Sequence, residues 1–294
     1  MSEVEEPSAA PDEALVEVRA FSLNRGEVNR LASQEEGVVS GWDLAGVVTS
    51  PAADGSGPAE GDRVVGLVDA GAWAQRAAVP TSRLSQLPES TSFTAAATLP
   101  IAGLTALRAL RKGGLGLGRR VLVTGAGGGV GRFAVQLASR AGAHVTAVVG
   151  RPERGADLEQ LGADEIVVGL DDDGPGFDLI LESVGGASLA AALARIAPGG
   201  TIVSYGNSSR EPTTFDVSGF YGRATGARLY AFLIFTELTR EGSAAEDLRM
   251  LAELVAAGEL DPQVSLETSW REPGAAMEAL LEGRVAGKAV LHVD

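Results

Sequence analysis

The stretch Arg120-Val121-Leu122-Val123-Thr124-Gly125-Ala126-Gly127-Gly128-Gly129-Val130-Gly131 decides the fold. Val121, Leu122 and Val123 form a short apolar run, the mark of a buried strand. Five glycines then fall within seven residues. Beyond them Val130, Phe133, Ala134, Leu137, Ala138 and Ala141 recur on one face of a helix. Strand, glycine turn and helix make the setting of a phosphate-binding loop. Glycine lets the backbone turn sharply and approach a pyrophosphate, and the helix N-terminus offers unpaired N–H groups at the positive end of its dipole. A tight turn in any α/β domain would use the same glycines. The flanking strand and helix favour dinucleotide binding.

Working outward, residues 144–149, 166–168, 177–181, 201–204 and 229–235 read as further apolar strands. Helical patterns lie at 152–161, 188–196 and 246–257. Strands alternating with helices predict a parallel sheet covered on both faces. Upstream the character differs. Residues 14–23, 41–48, 63–68 and 72–79 read as short strands, separated by a turn into a short helix at residues 24–31, a loop at 54–58 and a turn at 61–62. That pattern predicts a β-barrel-like unit. Residues 95–111 are helical, interrupted by Pro100 and Gly103, and a last strand covers 289–293.

The chain has 294 residues, 45% of them apolar, enough for two domains with a sizeable core. Its formal charge is −15, which makes nucleic acid and anionic membranes poor partners. There is no cysteine, so disulfides, thiolate zinc sites and a cysteine nucleophile are excluded. His144 and His292 are too far apart in the sequence pattern to suggest a metal cluster. Residues 1–13 lack a basic and apolar leader, and no apolar run reaches the length of a membrane span. The expectation is a cytoplasmic protein with a frayed N-terminus.

The order of motifs carries a family likeness. Residues 24–31, Gly41-Trp42-Asp43-Leu44-Ala45-Gly46, Gly61-Asp62-Arg63-Val64, Leu99-Pro100, Gly103-Leu104-Thr105-Ala106, the glycine loop, Leu161-Gly162-Ala163-Asp164, Val184-Gly185-Gly186, Pro198-Gly199-Gly200 and Gly287-Lys288-Ala289-Val290 follow one another along nearly the whole chain. Together they resemble the medium-chain dehydrogenase/reductase superfamily, in its zinc-independent quinone oxidoreductase branch. The resemblance implies an α/β protein: a GroES-like β-barrel catalytic domain at residues 1–95, rejoined by about residues 260–294, and a Rossmann domain with a doubly wound parallel sheet at residues 96–259. It implies a nicotinamide held between them, and a homodimer joined through the sixth strand, here residues 229–235. Two departures stand out. The segment between Asn24 and Asp43 is shorter than usual in the family, which alters the wall of the substrate cleft. With no cysteine, neither zinc site of the zinc-dependent members can be built.

Cofactor choice is read where the second strand of the parallel sheet ends. NAD binding favours an acid there. Here Val149 is followed by Gly150, Arg151, Pro152, Glu153 and Arg154. Two guanidiniums and no acid at the strand end suit a 2′-phosphate, so NADPH is the expected cofactor. Gly125, Gly128, Gly129, Val130 and Gly131 would cradle its pyrophosphate. By resemblance, Val184 and Gly185, and Tyr205, Asn207 and Ser208, line the nicotinamide and its ribose. Tyr205 either stacks near the ring or is a core aromatic. Lys288 either reaches the cofactor or lies on the surface. Also by resemblance, Thr105 faces the nicotinamide and substrate, and Asn24 polarises a carbonyl oxygen; Thr105 as a plain helical residue and Asn24 as a turn residue remain open. Asp43 is expected to be structural.

These readings predict NADPH-dependent hydride transfer to an α,β-unsaturated carbonyl or a quinone, without metal, on a small-molecule substrate. Water or a tyrosine, Tyr205 or Tyr221, would supply the proton. A short-chain dehydrogenase is excluded in effect, since neither lysine lies four residues after a tyrosine. The alternative from another class is an NADPH-binding sensor or structural relative without turnover. A biosynthetic enoyl reductase shares the first reading's chemistry.

Overall fold

The computed structural model describes residues 3–35 and 37–294. The chain divides into two compact units. One takes residues up to Leu104 together with Ile234–Asp294, and the other is Thr105–Leu233. The expected boundaries at residues 95 and 260 therefore move. The segment between 96 and 104 and the two helices after Leu233 pack with the first unit rather than with the parallel sheet.

The first unit is built on seven strands. They are β1 (Glu13–Ser22), β2 (Asp43–Ser50), β3 (Arg63–Leu67), β4 (Arg76–Pro80), β5 (Leu84–Gln86), β12 (Val264–Ser269) and β13 (Lys288–His292). Their order is β12-β13-β1-β2-β3-β5, with β4 also paired to β1. Along β1, Ala14, Val16, Val18 and Ala20 are buried, the two-residue period of a half-buried strand. Ala14, Val16 and Val18 join Leu44, Val48, Val64, Val79 and Leu291 in one core. Helix α1 (Arg25–Arg30) follows β1 directly. The segment expected to be one interrupted helix is α2 (Phe93–Ala97), a π-helical turn (Leu99–Gly103) and α3 (Leu104–Lys112). Ser92 caps α2 by accepting the Ala95 N–H at 3.1 Å.

The second unit holds six parallel strands. They are β6 (Arg120–Thr124), β7 (His144–Val149), β8 (Glu165–Val168), β9 (Phe177–Glu182), β10 (Ile196–Ser204) and β11 (Arg228–Ala231). The order β11-β10-β9-β6-β7-β8 is that of the doubly wound fold, with its switch point between β6 and β9. Val121, Leu122, Val123, Leu179, Ile180 and Leu181 are all buried, as strands covered on both faces require. Helices α3, from Thr105 on, α4 (Gly129–Arg140), α5 (Gly186–Arg195) and α6 (Val217–Arg223) complete it.

Two expectations are corrected, for residues 152–161 and for the sixth strand. Residues 152–161 do not form an α-helix. A 3-10 turn at Pro152–Arg154 runs into successive i→i−3 turns, with Leu158 bonded to Gly155 and Leu161 to Leu158. Gly155 interrupts the run, and Asp157 is drawn onto Arg132 of α4. The sixth strand of the parallel sheet ends at Ala231, not at residue 235. Its pairing stops where β10 stops, at Ser204 opposite Ala231. The remaining apolar residues start α7 (Ile234–Glu241), whose Ile234 and Leu238 share one buried face. The passage from β8 to β9 contains no helix. It is an eight-residue loop whose carbonyls at Asp171, Asp173 and Pro175 accept hydrogen bonds from Arg195. Strand β12, α6, α7 and α9 (Gly274–Leu281) are elements that the sequence patterns above do not single out. α8 (Ala245–Ala256) falls where a helix is expected. No helix of the described residues is long and apolar enough to cross a membrane.

Candidate functional site

In the second unit, the glycine loop leaves β6 at the switch point. Gly128 N bonds Gly125 O at 2.9 Å, and Ala126 N bonds Val148 O of β7 at 3.0 Å. The turn enters α4, where Arg132 N is the first to reach a helical carbonyl, that of Gly128. The N–H groups of Gly129, Val130 and Gly131 thus have no acceptor within the helix. Side chains are excluded here by contact. A Cβ on Gly131 would lie 2.5 Å from Gly125 O, and one on Gly127 would lie 2.6 Å from Arg154 O. Backbone and helix terminus form the concave donor surface that a pyrophosphate needs.

Arg154 folds onto this loop, its Nη2 donating to Gly127 O at 2.7 Å. Arg151, three residues earlier, is exposed. Their segment is held by Arg132, nearly buried in α4, which makes a two-pronged ion pair with Asp157. The two arginines expected to read the 2′-phosphate therefore stand just past the end of β7, with Arg154 on the glycine loop.

The loops after β9 and β10 meet the same place. Ser183 N donates to Thr124 Oγ1 at 2.9 Å, and Ser183 Oγ donates to Thr124 O at 3.2 Å. Ser208 N bonds Ser183 O, and Ser209 N bonds Val184 O. A Cβ on Gly125 would lie 2.5 Å from Ser183 Oγ, and Gly185, at φ +77°, faces Asn207 Oδ1. Gly125, Gly128, Gly129, Val130, Gly131, Arg154, Val184, Gly185, Asn207 and Ser208 are thus gathered at the carboxyl ends of the strands, where ligands of open parallel sheets bind. Under them lies Glu182, fully buried at the end of β9.

Tyr205 belongs to the same cluster, but its hydroxyl is sealed from solvent and has no hydrogen-bond partner. Burial raises its pKa; the nearby Ser183 hydroxyl opposes the shift and the Glu182 charge adds to it. A sealed hydroxyl held protonated and without a relay does not suit the expected proton donor. Tyr221 is exposed on α6.

In the first unit, Asn24, Glu27, Asp43, Ser22 and Lys288 form one buried polar network. Lys288 Nζ donates to Leu23 O at 3.1 Å, Asn24 Oδ1 at 2.6 Å and Asp43 Oδ2 at 3.4 Å. An ammonium only donates, so Asn24 must turn its oxygen toward it. The Asn24 amide nitrogen then donates to Asp43 Oδ2 at 2.7 Å and to Glu27 Oε1 at 3.1 Å. Both amide protons are engaged, which leaves Asn24 no donor for a substrate carbonyl. Its role here is to cap α1, with Glu27 Oε1 accepting the Asn24 backbone N–H at 2.7 Å. Lys288 is no surface lysine: its three protons are matched by three acceptors within this unit.

Asp43, also fully buried, takes Ser22 Oγ at 2.5 Å on one oxygen and the Ile101 N–H at 2.8 Å on the other. It thereby fixes the π-helical turn just before Thr105, whose side chain is buried near the start of α3. Glu27 also accepts the Trp42 N–H at 2.9 Å. Burial, with Asp43 beside it, pushes the Glu27 carboxyl up to about 8, against the pull of Lys288 and the Asn24 donors.

Sequence reasoning missed Glu182, Thr124, Ser183, Glu27 and the Arg132–Asp157 pair. One signal was readable: Asn24 followed three residues later by Glu27 is a capping-box pattern. A glutamate closing the apolar run 177–181 is a second. Among the described residues no group of three or more His, Asp or Glu is arranged to hold a metal ion.

Two family models match the chain: an alcohol dehydrogenase GroES-like domain over residues 10–89 and a zinc-binding dehydrogenase domain over residues 129–253. Among curated proteins, the chain is 34% identical over 293 residues to the spectinabilin polyketide synthase system protein NorB of Streptomyces orinoci. That match takes 96% of this chain but only 13% of NorB's length. It is 28% identical over 313 residues to the 2-methylene-furan-3-one reductase of Solanum lycopersicum, covering 99% of this chain and 74% of the relative. Among solved structures, the quinone oxidoreductase of Coxiella burnetii superposes with a TM-score of 0.82 at 26% identity, covering 99% of this chain and 93% of that one. The two domain matches, the doubly wound strand order and these likenesses agree, and the chain belongs to the medium-chain dehydrogenase/reductase superfamily, in its quinone-oxidoreductase-like branch.

Proposed function

We propose that the protein is an NADPH-dependent reductase that delivers hydride to an electron-poor carbon of an α,β-unsaturated carbonyl or to a quinone, without zinc. The observation that carries this reading is Arg154 seated on the Gly127 carbonyl, beside a glycine loop whose backbone leaves no room for a side chain at Gly127 and Gly131. A pyrophosphate fits the N–H groups of Gly129, Val130 and Gly131, and a 2′-phosphate fits the guanidiniums of Arg154 and Arg151. Val184, Gly185, Asn207 and Ser208 would hold the nicotinamide and its ribose, and Thr105 would orient the amide or the substrate oxygen. When bound, the nicotinamide supplies the hydride. With the Asn24 amide protons taken and the Tyr205 hydroxyl sealed from solvent, the residues bind and orient, and water supplies the proton to the reduced substrate.

The name of the tomato relative, a reductase of a methylene-furanone, and that of the Coxiella quinone oxidoreductase support this substrate class. We further propose a homodimer joined along the β11 edge, where Leu229 and Leu233 are half exposed. Steady-state oxidation of NADPH with a panel of enones and quinones tests the reading. Turnover with at least one class is expected. NADPH binding with no turnover across the panel would favour a sensor instead.

A further inference from the structure

We propose that Glu182 is a positioning residue of the cofactor site, whose side chain fastens the loop after β9 to the end of β6 and lays a fixed negative charge beneath it. The inference rests on the cofactor reading given above. Glu182 is fully buried at the carboxyl end of β9, next to the switch point. One oxygen accepts the Val184 N–H at 2.9 Å, the Gly185 N–H at 3.1 Å, Ser188 Oγ at 3.0 Å and Thr124 Oγ1 at 3.3 Å. The other accepts the Gly185 N–H at 3.1 Å. Its own backbone carbonyl takes the Tyr205 N–H, so the loop after β10 is tied to the same residue. One side chain thus joins the end of β6, the loop after β9 and the first turn of α5.

All of these partners are neutral donors. A cation would cancel the field of the carboxylate at short range, whereas amides and hydroxyls satisfy its oxygens and leave its charge in place. That field reaches the next loop, where it adds to the upward shift at Tyr205. A nicotinamide held by Val184, Gly185, Asn207 and Ser208 is uncharged when reduced and cationic when oxidised. The Glu182 charge therefore favours the oxidised ring and makes the bound cofactor a stronger hydride donor.

The test is the ratio of dissociation constants for NADP+ and NADPH in the full chain, read by fluorescence titration and competition. Glu182→Gln can keep every contact of the first oxygen while removing the charge. In this variant NADP+ should weaken about fivefold or more relative to NADPH, because a buried charge left uncancelled acts at a low effective dielectric. An unchanged ratio overturns the proposal, because a merely structural residue would weaken both forms alike. Glu182→Asp keeps the charge on a shorter arm. It should weaken both forms while holding the ratio within about twofold; a fivefold shift overturns the proposal even if the Gln variant does not fold. Wild-type protein that binds neither form would overturn the cofactor reading as well, whereas wild type that binds both, with an unchanged ratio in Glu182→Gln, removes this proposal alone.

Discussion

Lys288 Nζ lies 2.6 Å from Asn24 Oδ1, so the last strand of the chain grips the cap of its first helix through one buried ammonium. The same ammonium pairs with Asp43 at 3.4 Å, with both side chains withdrawn from solvent. The final β-strand is thereby fastened to the segment that leads into α1 and, through Asp43, to the π-helical turn at Leu99–Gly103.

Removing one member of a buried ion pair strands the other. Lys288→Met should lower stability by about 3–5 kcal/mol, because Asp43 is left charged among groups that cannot replace the ammonium. Urea unfolding reads this directly. A change within about 0.5 kcal/mol would contradict the network.

Glu27 makes stability depend on pH in a defined direction. Its folded pKa, about 8, lies above the ordinary glutamate value of 4.5. Below pH 4.5 the folded and unfolded chains both carry the proton, and the contribution is complete. As pH rises toward 8 the unfolded chain loses the proton first, so the folded state is progressively disfavoured. Wild type should therefore lose stability relative to Glu27→Gln between about pH 4.5 and 8 and run parallel to it above. Parallel curves throughout would refute the shifted carboxyl.

Arg151 and Arg154 are assigned to the 2′-phosphate. Replacing both by Ala should raise KM for NADPH about tenfold or more, the scale of charge-assisted hydrogen bonds, and leave KM for NADH nearly unchanged. Equal losses for both cofactors would mean that the arginines only hold the loop.

Tyr205 separates a catalytic from a packing role. Its hydroxyl is buried without a partner, so Tyr205→Phe should leave turnover within about threefold and stabilise the fold by about 1 kcal/mol. A hundredfold loss of kcat at unchanged stability would restore Tyr205 as the proton donor.

Much of the fold was legible because its signals are local. The run 121–123, the crowded glycines and the helical face from Val130 are set by backbone geometry and burial, and they mark β6, the loop and α4. Strand β7 falls at residues 144–149 as the pattern indicates. What misled was apolar sequence that serves two elements in turn. Residues 229–235 supply both an edge strand and the buried face of α7, and only the length of β10 decides where the strand stops. The segment 152–161 has helical spacing, yet Gly155 and the Arg132–Asp157 pair favour turns. Site residues divide in the same way. The glycine loop and the arginines at the end of β7 announce themselves by residue type. Whether Asn24 has a proton to offer depends on Lys288, Asp43 and Glu27, partners that lie as much as 264 positions away.

The most direct test of the account is the fate of a deuteride. NADPH carrying deuterium on the transferable face of C4 should label the β-carbon of an enone reduced by the protein, with the second hydrogen taken from solvent. One deuterium at the β-carbon, formed far faster with NADPH than with NADH, is the predicted result. Product without label at that carbon, or bound NADPH left unreacted with every enone and quinone offered, would contradict it.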